Sequence, residues 1–439
     1  MLPALTTTSA PAPNQDTAAV RRDLDALSAV LLVGAVALMS TTVPLLISDR
    51  LLGPNTLPVW VIYSAVYGSV LVVFSKRLLR LLAHTAGLWG VALLHLLPMA
   101  SVIWSSDAKT TLPQALMLSA GIVISLALWA TTREAALRVL CIAAIITPLL
   151  SILAIVMLPE VGREIEGAWT GTWRGVHEQK NGLGALCAVS VLLLAAAWQR
   201  GNILQPSWLV VGLALNAFLL LGSRSTTSLL IALACVPVLI VPLKVVRAAI
   251  IGVVLALGAS MALLIANPDL VATLLATAPT AIGKDATLSN RTPIWTVLWG
   301  YVAAEPWFGY GYGAFWSDDV VPADVFTKRI KFVPSSAHNG VLEVVLALGL
   351  VGFSLLVLVT LQFVKNLYAA SRLTATASDA RLALALFVQL IILNVSESRI
   401  LERNDRIWVI FVWLAVLLAR PDHAASAERR VPSRQLFVV

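Results

Sequence analysis

Hydrophobic positions in this chain run in long blocks, without the sustained polar alternation of a half-buried strand or surface helix. Blocks near the ~20 residues that a membrane-crossing helix needs fall at 27–47, 57–74, 83–103, 112–130, 139–158, 182–198, 207–222, 226–242, 246–266, 339–364, 382–396 and 407–419. The pattern predicts an all-α polytopic membrane protein of about twelve transmembrane helices, the seventh, eighth, eleventh and twelfth being short for a span. Its expected parts are a tail over 1–26, helices one to nine over 27–266, a large loop over 267–338, helices ten to twelve over 339–419, and a tail over 420–439.

Composition agrees with the pattern. The 439 residues are 59% hydrophobic and 12% charged, with a mean hydropathy of +0.88, beyond what a soluble core requires. Charge then orients the chain. An even helix count places both termini on one side, and the segments on that side hold seventeen of the 31 Lys and Arg but only seven of the 23 Asp and Glu. Cations accumulate on the cytoplasmic face of a membrane protein, so both tails are expected there and the 267–338 loop on the outer face. The net charge of +8 follows from topology and implies no nucleic acid. The segment before residue 27 carries Asp23 and Asp25 and lacks the pattern of a cleaved signal, so the first helix reads as an uncleaved anchor. Cys141, Cys187 and Cys235 all lie inside apolar blocks and read as small core hydrophobes without disulfide partners.

Two outward connections are long, 159–181 and 267–338. The second is rich in Trp, Tyr and Phe with interspersed Gly and Pro, a composition that favours order. Within it, "RTPIWTVLWGYVAAEPWFGYGYGAFW" (291–316) predicts a short helix from Pro293, ended by Pro306 and followed by a glycine–aromatic turn. Both faces of that helix are apolar, so it is expected to lie in the membrane interface or on the bundle.

The outward cations concentrate at helix mouths: Arg174 and Lys180, Arg224, and Arg291. Guanidinium groups bind phosphate oxygens two at a time, and several converging on one site suggest a diphosphate. For Arg174 the competing reading is a loop residue reaching lipid head groups. Arg224 stands in a turn between two apolar helices, where an unpaired charge is costly. Arg291 opens a helix against the helix dipole, which favours a partner over a local role. Lys180 and Asn181 either support the site or simply begin the sixth helix. Arg399, Arg403 and Arg406, interleaved with Glu397, Glu402 and Asp405, read as an ion-paired loop. His95 reads as an interior hydrogen-bonded residue, leaving His177 and His338 on the outward side. His338 heads the tenth helix in "SSAHNGVLEVVLALGLVGF" (335–353). A neutral imidazole there could take a proton from a sugar hydroxyl, or serve only as a helix-start residue bound to a backbone carbonyl. Asn339 and Glu343 could orient it or bind sugar.

Four segments in order, "GTWRGVHEQKNGLGALCAV", "LLGSRSTTSLL", "LSNRTPIWTVLWGYVAAEPWFGYGYGAFW" and "SSAHNGVLEVVLALGLVGF", separated by membrane helices, resemble the signature set of the O-antigen ligase and polysaccharide polymerase superfamily over roughly 165–360. The arrangement is similar to the O-antigen ligases. The resemblance implies a large periplasmic loop between helices nine and ten holding short interfacial helices. It also implies transfer of a glycan from undecaprenyl diphosphate to the lipid A core at the periplasmic face of the bacterial inner membrane. Arg174, Arg224 and Arg291 correspond to the family's arginines and His338 to its histidine, with Lys180, Asn181, His177, Asn339 and Glu343 as supporting positions. The expected partners are a lipid-linked donor, the lipid A core acceptor and membrane lipids, with no cofactor. Metal independence is expected, because Asp318 and Asp319 are adjacent without supporting ligands. Trp295, Trp307 and Trp316 either stack on sugars or anchor the loop. A polymerase of the same superfamily would use the same residues on a second lipid-linked glycan. An anion transporter would need ionisable residues near the midplane, and the blocks contain only Arg247 and Glu343, each near one end of its block.

Overall fold

The computed structural model describes residues 25–46, 57–82, 89–165, 169–252, 255, 291–317, 320–322, 325–327 and 334–419. Most of the expected ninth helix, residues 267–290, Asp318 and Asp319, and nearly all of both tails lie outside the described residues. Among the described residues the chain is helical and has no strands, apart from one isolated bridge between Arg163 and Trp173.

The helices are α1 (Ala26–Leu38), α2 (Leu57–Leu82), α3 (Trp89–Ala100), α4 (Ala108–Trp129), α5 (Arg133–Met157), α6 (Lys180–Arg200), α7 (Pro206–Gly222), α8 (Thr226–Cys235), α9 (Arg291–Ala304), α10 (Gly340–Ser371), α11 (Ala377–Ser396) and α12 (Arg406–Leu418). Their starts follow local chemistry. Side chains of Asp25, Asp107, Thr132, Asn339 and Asp405 cap α1, α4, α5, α10 and α12 by accepting first-turn N–H groups. Proline opens α7, and α6 ends at Gly201 in the left-handed region.

Among the described residues six helical segments are long and apolar enough to cross a bilayer: Val61–Leu79, Ala108–Trp129, Arg133–Met157, Lys180–Arg200, Gly340–Ser371 and Thr374–Ser396. The chain is therefore a multi-pass membrane protein. The other expected spans, apart from the ninth, are shorter apolar helices, and a 13-residue helix such as α12 extends only about 20 Å. Every residue of α12 is buried, so it forms the centre of the bundle, packed by α4 and α10 and flanked by α11, α3 and α6. His95 on α3 accepts a hydrogen bond from Trp408 Nε1 at 3.1 Å, as an interior residue should. The three cysteines are free and buried.

Hydropathy reads 339–364 as one continuous helix, and the structure corrects this. α10 is broken at Gly349, where φ is 62° and ψ is −162°. The glycine–aromatic turn after α9 fills the break: Tyr310 and Gly311 N–H groups donate to the Leu346 and Ala347 carbonyls at 2.9 and 3.0 Å, while Leu350 and Val351 N–H groups donate to the Pro306 and Trp307 carbonyls at 2.8 and 3.1 Å. Irregular backbone within a membrane protein needs such partners, because lipid supplies none. The same interlock fixes α9 on α10, with Ile294, Leu298 and Phe315 packed against Leu342 and Leu346.

Candidate functional site

The first turn of α6, the start of α9, the end of α11 and the segment before α10 meet at one end of the bundle. Glu397, at the C-terminal cap of α11, is their common point. It is 6% exposed, and its Oε1 accepts hydrogen bonds from Asn181 Nδ2 at 2.9 Å and Arg291 Nη2 at 3.2 Å. The carboxylate also acts electrostatically on Lys180 and His338.

His338 reaches this cluster because α10 and α11 touch at their ends. A Cβ on Gly340 would collide with the Asn394 side chain, so only glycine permits this approach. Asn394 in turn accepts the N–H groups of Arg399 and Ile400 at 2.8 and 3.0 Å, fixing the segment after Glu397. His338 itself has φ of 48°. Glu343 clamps the approach, accepting from Ala337 N–H at 2.7 Å and from Trp316 Nε1 at 3.1 Å, while Trp295 Nε1 donates to the Ala337 carbonyl at 2.9 Å. The His338 Nδ1 is buried and has no hydrogen-bond partner among the described residues. Burial lowers the imidazole's pKa below its ordinary value, the Arg291 and Arg399 charges lower it further, and Glu397 opposes them. The ring is therefore neutral at neutral pH and able to accept a proton.

Arg224 sits in the three-residue break between α7 and α8 with φ of 50°. Gly184 lets that turn press onto α6, since a Cβ there would meet Ser225 at 2.6 Å. The Arg224 side chain is exposed and makes no hydrogen bond or ion pair to a described residue, although its charge is felt by Lys180. The Lys180 ammonium lies 3.5 Å from the centroid of the Trp169 ring. Thus Lys180, Asn181, Arg291 and His338 gather around Glu397, with Arg224 beside Lys180.

Other sequence candidates are placed differently. Arg174 is taken up by main chain: Nε donates to the Val161 carbonyl at 2.8 Å and Nη2 to the Glu160 carbonyl at 3.0 Å, satisfying the end of a short helix over Pro159–Gly162. His177 is buried and binds the Ser40 carbonyl through Nδ1 at 2.5 Å, and burial pushes its pKa down to about 3. Asn339 is the cap of α10, accepting from the Val341 and Leu342 N–H groups at 3.1 and 3.0 Å, which commits its Oδ1 to the helix.

The expected self-paired loop after α11 is only partly so. Arg399 binds Asp405 at 3.0 Å and Arg403 lies 3.6 Å from Glu402. Glu397 pairs with Arg291 instead, and Arg406, 2% exposed, serves the end of α1 through the Ala37 and Met39 carbonyls. Glu397 as the hub was not legible, because its partners are distant in sequence.

A cavity of about 530 Å³ opens next to this cluster. Tyr63, Gln114, Trp316, Ser335, Glu402 and Arg403 are among its lining residues, and Glu397 and Arg399 form part of its wall. All five non-glycine residues with left-handed φ among the described residues are Ser40, Arg224, His338, Leu401 and Asn404, and all lie at this end. Such strain collects where a site requires it. Among the described residues no three His, Cys, Asp or Glu side chains are grouped so as to hold a metal ion.

Residues 209–357 match a family model described as O-Antigen ligase. The matched segment contains Arg224, Arg291, His338, Asn339 and Glu343, while Arg174, His177, Lys180, Asn181 and Glu397 lie outside it. No curated protein matches the chain.

Proposed function

We propose, from the match of residues 209–357 to the O-Antigen ligase family model, that the chain acts as a member of that family and transfers O-antigen polysaccharide from undecaprenyl diphosphate to the lipid A core. The reaction takes place at the periplasmic face of the bacterial inner membrane, with both termini cytoplasmic and the outward loop of residues 267–338, which carries α9, lying between the expected spans at 246–266 and 339–364 of a twelve-span topology. The observation that carries this reading is the under-committed cation cluster: Arg224 without a described partner and Arg291 sharing a single carboxylate oxygen, beside a neutral His338 with a free Nδ1.

The acceptor hydroxyl attacks the anomeric carbon of the donor sugar from the face opposite the diphosphate, so the reaction inverts that centre. The new C–O bond forms as the bond to the diphosphate breaks, and its electron pair leaves on the diphosphate oxygen. Arg224 and Arg291, with Lys180, stabilise that developing charge, and His338 takes the hydroxyl proton. The neighbouring cavity, with hydroxyl, amide and indole groups on its wall, suits the sugars of an acceptor. In this reading Arg174 and His177 support the fold of the 159–181 segment.

Purified protein, given an undecaprenyl-diphosphate-linked glycan with and without lipid A core in the presence of a chelator, tests the reading. Product that requires core and survives chelation is expected. Longer lipid-linked chains formed without core would make the protein a polymerase of the same superfamily, and product lost to the chelator would end the metal-independent mechanism.

A further inference from the structure

We propose that Glu397 is a positioning residue of the transfer reaction: it holds Arg291 and Asn181 in place around His338 and supplies the negative charge that stabilises the imidazolium formed there. The inference rests on the reading of His338 as base. Three observations carry it. Glu397 is buried, yet only its Oε1 is hydrogen-bonded to described residues, through Asn181 and Arg291. It forms part of the wall of the cavity that Ser335 and Ser336, just before His338 in the chain, also line. The contact between Gly340 and Asn394 brings the end of α11 against the start of α10, so that the segments bearing Glu397 and His338 face each other.

The second oxygen has no partner among the described residues and is free to meet charge that arrives beside it. A proton arriving on a neighbouring imidazole makes use of it. When the acceptor hydroxyl gives its proton to His338, its oxygen closes the new glycosidic bond and the diphosphate departs with the electron pair. The cluster is left with an added positive charge beside Arg291 and Arg399. Those two guanidinium groups oppose the imidazolium, and Glu397 is the carboxylate among the groups acting on His338. A fixed carboxylate that stabilises an imidazolium without itself taking the proton is an established catalytic arrangement. Glu397 would do this while also aligning Arg291 for the diphosphate.

Glu397→Gln keeps an oxygen for Asn181 and Arg291 and removes the charge. In the full-length protein, turnover is expected to fall about 10²-fold. The acid limb of the pH profile of kcat/KM should move to lower pH, because loss of the carboxylate disfavours the imidazolium. Glu397→Asp keeps the charge, and its acid limb should stay at the wild-type position. A Gln variant with near wild-type turnover and an unmoved limb overturns the proposal, as does an Asp variant whose limb moves down, which still decides the matter if the Gln variant does not fold. His338→Ala separates the two readings: full activity in that variant sinks the base itself, whereas an inactive His338→Ala beside an indifferent Glu397→Gln sinks only the role of Glu397.

Discussion

Each end of the helix bundle has a buried carboxylate among arginines, and the two are used differently. At one end Asp379, with its side chain 5% exposed, is bound on Oδ2 by Arg133 at 2.7 Å and on Oδ1 by Arg200 at 2.5 Å. Neighbouring arginines there are tied to main chain: Arg138 to the Ile203 carbonyl, Arg247 to Ser371 and Arg381 to Val241, at 2.9, 3.1 and 2.8 Å. At the other end Glu397 takes both its side-chain partners on one oxygen. Arg291 Nε and His338 Nδ1 are buried without partners among the described residues, and the left-handed non-glycine residues collect nearby. Idle donors alone do not set the two ends apart, since Arg200 Nε is also buried without a partner among the described residues; the difference lies in the carboxylates, both oxygens of Asp379 being ion-paired, as expected where an unmet buried charge costs several kcal/mol. A cluster whose carboxylate keeps one oxygen without a partner among the described residues, beside an unpartnered imidazole nitrogen, is arranged for something that arrives.

The largest expected effect breaks the second cluster. His338→Ala should lower turnover by about 10²- to 10⁴-fold while binding of undecaprenyl diphosphate persists, measured by radiolabelled lipid on purified protein. Wild-type turnover would leave the imidazole a helix-start role. In the wild type, activity needs the neutral ring, so it is present above the folded pKa and lost as pH falls through it. Because burial and the two arginines lower that pKa, the acid limb should lie below pH ~6.5.

Asp379→Ala tests the first cluster and should separate stability from chemistry. Removing one partner of a buried ion pair typically costs about 3–5 kcal/mol, at the lower end here because Arg133 and Arg200 retain some solvent contact. The thermal midpoint in detergent should therefore drop, with activity per folded molecule unchanged. A variant that keeps its midpoint but loses turnover would place function at this end too.

Arg224→Lys is the next step down in size. A single ammonium cannot reproduce the two-pronged guanidinium contact with phosphate, so an increase in donor KM or a loss of turnover of about 10-fold is expected, with the thermal midpoint unchanged. An unimpaired lysine variant with normal kinetics would leave Arg224 as a charge at a turn.

How much of this was legible follows from the range of each interaction. The apolar blocks locate nearly every described helix, since burial in lipid or bundle writes itself into local composition. Arg224, Arg291 and His338 stood out because each is locally expensive: a charge between apolar helices, a cation at a helix start, and an imidazole at the head of a span. Glu397 did not stand out, because it lies among other charges in "NVSESRILERND" and its meaning comes from Arg291, more than a hundred residues away. The break in α10 was invisible for a related reason. Gly349 sits in an apolar run, and the groups that satisfy its neighbours come from the turn at 306–311. The resulting discontinuous helix is a feature associated with transporters, but here the freed groups are met by backbone, with no ionisable residue at the break.

Arg174 gives the smallest expected effect and tests the boundary between the two kinds of cluster. Sequence placed it with Arg224 and Arg291, yet its guanidinium already serves the Glu160 and Val161 carbonyls and lies 3.9 Å from Glu164. That is how the arginines at the Asp379 end behave. With its donors spent, it should act through the fold of the 159–181 segment, which also carries Lys180 and leads into Asn181. Arg174→Gln can still donate one of these bonds, so a stability loss of about 1 kcal/mol and a turnover change of no more than a few-fold are expected, measured by thermal unfolding and initial rates. If instead turnover collapses while the midpoint holds, the guanidinium must leave its carbonyls when the donor arrives. A committed donor set would then be no guide to a structural role.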